Sequence, residues 1–120
     1  MLLIPSLVSI FAIYRFTINF TGLPYSNSLR QSSSAKFRET SQEIVNSLQT
    51  LFSSFPGERN ISVLNYRYQK VIGTLVTIEV KLRKAEPKLE EIIKRAIKSG
   101  YIGRYAVGFN GFEYQTLRGH

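Results

Sequence analysis

Residues 72–82, "IGTLVTIEVKL", carry the pattern that most constrains this chain. Ile72, Val76, Ile78, Val80 and Leu82 share one parity, while Leu75, Thr77, Glu79 and Lys81 take the other. A period of two is that of a β-strand with one face buried. Such a strand is not stable alone. Its apolar face needs a cover, and its backbone needs neighbouring strands. The rest of the chain has to supply both.

Three other segments read as those neighbours. From Ile13, the residues Phe16, Ile18 and Phe20 alternate with Arg15, Thr17, Asn19 and Thr21. Residues 61–68 begin with Ile61 and Val63 on one face and then become aromatic and polar. Residues 112–117 alternate again near the end.

Two helical patterns read as the cover. The loop "TGLPYSNSLRQSSS" is rich in turn residues, and its serines suit a helix cap. A helix is predicted from about Ser34, with Phe37, Ser41, Ile44, Val45, Leu48 and Leu51 on one face. Pro56 and Gly57 end it. Pro87 opens the second helix, whose apolar stripe is Leu89, Ile92, Ile93, Ala96 and Ile97. Glu86, Glu90 and Glu91 come early in it and Lys94, Arg95 and Lys98 late, as the helix dipole favours. Ser99-Gly100 is its stop. The order β-α-β-β-α-β predicts an α+β, ferredoxin-like sandwich: an antiparallel sheet with two helices on one face.

Length and composition fit one folded domain: 120 residues, 43% hydrophobic and 20% charged. The apolar opening, residues 1–11, is expected to lie outside it, as a leader, a truncated secretory signal or a flank. The domain is then expected over 12–118. That opening is shorter than the roughly 20 residues that span a bilayer.

Absent residue types narrow the chemistry. There is no cysteine, so disulfides, thiol nucleophiles and thiolate metal sites are excluded. There is no aspartate, and the single histidine is His120, the last residue. A Ser-His-Asp set cannot be assembled from these, and neither a metal nor a cofactor is expected. Glu86, Glu90 and Glu91 read as first-turn helix residues rather than as paired general acids.

The formal charge of +8 favours acidic partners. Lys81, Arg83, Lys84, Lys94, Arg95 and Lys98 are the candidate contacts for a sulfated glycan. An RNA-binding domain of the same topology is the rival reading. Its stacking rings would lie on central strands, and "IGTLVTIEV" has none, so no nucleic acid is expected. Asn19-Phe20-Thr21 and Asn60-Ile61-Ser62 are glycosylation sequons. Asn19 is expected on the outward parity of the first strand and Asn60 in the turn before the second, both within reach of the glycosylation machinery.

The segments "YRFTINFTGLPYSNSLRQSSSAKFRETSQEIVNSLQTLF" and "AIKSGYIGRYAVGFNGFEYQTL" resemble the opening and the close of a SEA domain, the second being similar to the perlecan type. The resemblance implies an extracellular, non-enzymatic module of mucins, proteoglycans and cell-surface proteins, joined to neighbouring domains and attached to a membrane only through its parent protein. It also implies a position to inspect. Some members cleave themselves at a Gly-Ser bond followed by three apolar residues, between the second and third strands. Here the matching stretch is Gly73-Thr74-Leu75-Val76-Thr77. Threonine replaces serine, Thr77 replaces the third apolar residue, and Thr74 shares the inward parity of Val76 and Ile78. "QKVI", which leads in, lacks the usual tight-turn residues. The expectation is that Gly73-Thr74 eases strand entry and is not cut.

Overall fold

A computed structural model describes residues 11–119. The expected leader, apart from Phe11, lies outside the described residues, as does His120. The alternating segments form strands β1 (Ala12–Phe20), β2 (Arg59–Gln69), β3 (Gly73–Leu82) and, after a two-stranded ribbon of β4 (Tyr101–Ile102) and β5 (Tyr105–Ala106), the long closing strand β6 (Gly108–Arg118). The helices are α1 (Ala35–Leu51) and α2 (Leu89–Ser99). The main sheet has the order β2-β3-β1-β6 and is antiparallel throughout.

The expected architecture is therefore the observed one. β1 and β3 are central, and their inward side chains (Tyr14, Phe16, Ile18 and Phe20; Val76, Ile78, Val80 and Leu82) meet Phe37, Ile44 and Leu48 of α1 and Leu89, Ile93, Ala96 and Ile97 of α2 in one core. These strand positions have a single parity, so both helices cover the same face. The other face carries Arg15, paired with Glu79 at 2.7 Å, and Thr17, hydrogen-bonded to Thr77 at 3.1 Å.

Local chemistry sets the helix ends. The Ser34 hydroxyl accepts from the Phe37 backbone N–H at 3.0 Å, a side-chain N-cap. α2 ends at Gly100, whose φ of +96° is left-handed and favours glycine. Pro87 sits in the turn just before α2, which begins at Leu89.

The glycine-rich tail departs most from the expectation. Residues that read as an irregular lead-in form the β4–β5 ribbon, and β6 begins at Gly108 rather than near 112. β6 also leaves its register. Thr17 faces Glu113 and Asn19 faces Gly108, so residues 109–112 have no partner on β1. This excursion comes down on the outer face at one end of the sheet. A Cβ on Gly111 would stand 2.9 Å from the Leu75 side chain, and Leu75, with outward parity, is buried.

Candidate functional site

The β2–β3 hairpin is the place to test for backbone chemistry. β2 and β3 pair up to Gln69↔Gly73, which leaves residues 70–72 as the connection. The Ile72 N–H donates to the Gln69 carbonyl at 3.0 Å, closing a tight β-turn. The chain makes this turn without turn-type residues by placing Val71 at φ +73°. A β-branched residue in that region is an outlier. Gly73 follows at φ +138°.

Position 73 cannot hold a side chain. A Cβ there would lie 2.4 Å from Asn19 Oδ1. Asn19 reaches across from β1, and its Nδ2 donates to the Ile72 carbonyl at 2.9 Å. That bond fixes the amide orientation and turns Oδ1 toward the Gly73 backbone, where it is buried without a hydrogen-bond partner.

The expected outward, reachable position of Asn19 is thus corrected: its relative exposure is 1%. Its parity is outward, but Gly73 of β3 and the β6 excursion close that end of the face. Asn60 differs. It is exposed, the second residue of edge strand β2 rather than part of the preceding turn, and the Ser62 hydroxyl donates to its Oδ1 at 3.4 Å.

Thr74 keeps the inward parity read from the sequence. The β1–β3 register runs unbroken from Phe20↔Thr74 to Ala12↔Leu82, so no bulge rotates the residue outward. Its relative exposure is 2%, and its hydroxyl donates to the Leu23 carbonyl at 2.7 Å. A peptide carbonyl is too weak a base to take up the proton that hydroxyl attack on Gly73 would release.

The six candidate anion contacts are not brought together. Lys81 lies on the outer face of β3, whereas Lys94, Arg95 and Lys98 project from α2 on the opposite layer. Four of the six pair with acids: Lys81 with Glu79 at 3.8 Å, Arg83 with Glu58 at 3.2 Å, Lys94 with Glu90 at 3.2 Å and Arg95 with Glu91 at 3.2 Å.

One polar cluster was not legible beforehand. Arg104 and Tyr105, from the β4–β5 ribbon, both reach Glu43 on α1. The Tyr105 hydroxyl donates to Glu43 Oε1 at 2.6 Å, and Arg104 Nη2 donates to Glu43 Oε2 at 2.9 Å. The hydrogen bond from Tyr105, then that from Arg104, holds the Glu43 carboxyl below the usual carboxylate range. Burial, then the bond to Glu43, pushes the Tyr105 hydroxyl up. The partners are 61 and 62 residues apart in sequence, and nothing local signals the contact. The cluster ties the ribbon to the helix layer. Among the described residues no group of carboxylates or imidazoles is arranged to hold a metal ion. No helix among them is long and apolar enough to cross a membrane.

Comparison with known proteins finds relatives along most of the chain. The chain is 28% identical over 109 residues to the basement membrane-specific heparan sulfate proteoglycan core protein of Mus musculus, a match covering 87% of this chain and 3% of that protein. It is 33% identical over 66 residues to interphotoreceptor matrix proteoglycan 2 of Rattus norvegicus, covering 55% of this chain and 5% of that protein. The chain thus spans a small fraction of either relative. Residues 12–102 match the SEA domain family, a stretch that takes in β1, the Gly73-Thr74 hairpin, both helices and β4, and on that match the chain belongs to the SEA domain family.

Proposed function

We propose that this chain is a non-catalytic extracellular module, a rigid spacer within a cell-surface or matrix glycoprotein, whose Gly73-Thr74 bond stays intact. The observation that carries the reading is the Thr74 hydroxyl, buried with inward parity and committed to the Leu23 carbonyl. Both relatives are proteoglycans by name, which supports placement outside the cell and beside glycan-bearing segments. With the candidate cations divided between two layers and largely paired, contact with sulfated glycans rests on the diffuse +8 charge rather than on a built site. On the outer face, the central strands present Arg15, Thr17, Thr77 and Glu79 and no stacking ring, which speaks against the RNA-binding reading.

The self-cleaving reading has one observation of its own. Val71, at φ +73°, places one strained residue two positions before Gly73. A denaturing gel and intact mass of the purified domain separate the two. One full-length chain is expected. Two fragments divided between Gly73 and Thr74 overturn the proposal.

A further inference from the structure

We propose that Asn110-Gly111 is a site of spontaneous deamidation, a covalent modification that the fold leaves unprotected. Asn110 is the one asparagine of six that precedes a glycine. The reaction needs the backbone nitrogen of the next residue to reach the asparagine Cγ. Glycine offers the least hindered nitrogen and the freest backbone. In most of a folded domain, hydrogen-bonded ladders and helices hold that geometry away. Here they do not: residues 109–112 have no partner on β1, and Asn110 is exposed on an edge strand.

The glycine is structurally required at this point. Gly111 sits at φ +92°, and a Cβ on it would come within 2.9 Å of Leu75 Cδ2. The excursion that covers Leu75 therefore favours keeping a glycine directly after Asn110. The other five asparagines are placed differently, and Asn27, which precedes a serine, opens a short 3-10 helix over Asn27–Arg30. Asn19 is buried, with its amide bonded to Ile72. Asn46 lies inside α1, and Asn60 and Asn65 lie within the β2–β3 ladder.

The step balances without a cofactor. The Gly111 nitrogen bonds to the Asn110 Cγ, the Cγ–Nδ2 bond breaks, and ammonia leaves with the proton from the Gly111 nitrogen. Water then opens the five-membered imide at either carbonyl, giving an aspartate or a β-linked isoaspartate. Either product removes one unit from the +8 balance. The isoaspartate also adds a methylene to the backbone that packs over Leu75.

The test is timed incubation of the purified chain at mildly alkaline pH and physiological temperature, followed by peptide mapping and enzymatic isoaspartyl methylation. The Asn110 peptide is expected to gain one mass unit about tenfold faster than any other asparagine peptide, a barrier lower by about 1.4 kcal/mol. Asn110→Gln is expected to abolish methyl acceptance. The proposal fails if the folded chain leaves Asn110 unchanged while a synthetic peptide of residues 108–114 reacts, or if Asn110→Gln leaves methyl acceptance as it was.

Discussion

Val71 concentrates the cost of the β2–β3 connection in one residue. Its side chain is 93% exposed, so no packing offsets its φ of +73°. A left-handed conformation costs a β-carbon-bearing residue about 1–2 kcal/mol. Val71→Gly removes that cost and adds back about 0.5–1 kcal/mol of unfolded-chain entropy. A net gain of about 1 kcal/mol is expected from denaturant melts. Val71→Asn, which tolerates the region and keeps a side chain, is expected to gain at least as much. A loss in both variants refutes a strained turn. The sequence already signalled the conflict, because "QKVI" has no turn residue. What it withheld was the chain's solution, which depends on Asn19. That side chain meets Gly73 only because β1 pairs with β3, 53 residues from its hydrogen-bond acceptor on Ile72.

At the scale of elements, α1 meets β2 through an aromatic and polar contact. Phe37 stands edge-on to Tyr66, with ring centroids 5.1 Å apart, and the Tyr66 hydroxyl is 2.8 Å from the Ser41 hydroxyl. Burial pushes the Tyr66 pKa up to about 12, with the Ser41 bond working against the shift. The unfolded value is about 10. The neutral phenol is the form the fold favours, so its contribution is fully present below about pH 10 and is lost as pH rises toward 12. Tyr66→Phe is expected to lose about 1 kcal/mol at neutral pH with the hydrogen bond, and to flatten the fall in thermal stability across that alkaline window. An unchanged alkaline slope counts against the assignment. Ser41 and Phe37 were both readable on the buried face of α1, since helical periodicity is local. The ribbon was not readable. Its two-residue strands are too short to show a period, and its anchor is Glu43 on another element.

At the scale of the whole molecule, the two sequons part company. Parity alone put Asn19 outward, yet the closing strand and the Gly73 hairpin end bury it, whereas Asn60 stays exposed on an edge strand. A glycan on Asn60 also suits that edge, where bulky polar cover discourages pairing with another sheet. Secreted from a glycosylating host, the folded domain is expected to carry N-glycan at Asn60 and none at Asn19. Deglycosylation followed by mass analysis reads this directly. Glycan at Asn19 in folded material refutes the burial argument, and loss of all glycan in Asn60→Gln supports it.

The sequence by itself determined the order of the four main strands and the two helices, the inward residues of β1 and β3, the Ser34 cap and the Gly100 stop. Each of these depends on periods of two or 3.6 and on residues within one turn of one another. It also determined the inward parity of Thr74, which the unbroken register preserves. Only the tertiary structure decided what Thr74 bonds, why position 73 must be glycine, and which sequon is reachable. Those outcomes rest on Leu23, Asn19 and the β6 excursion, which the packed sheet brings to one end of the hairpin and no local pattern connects.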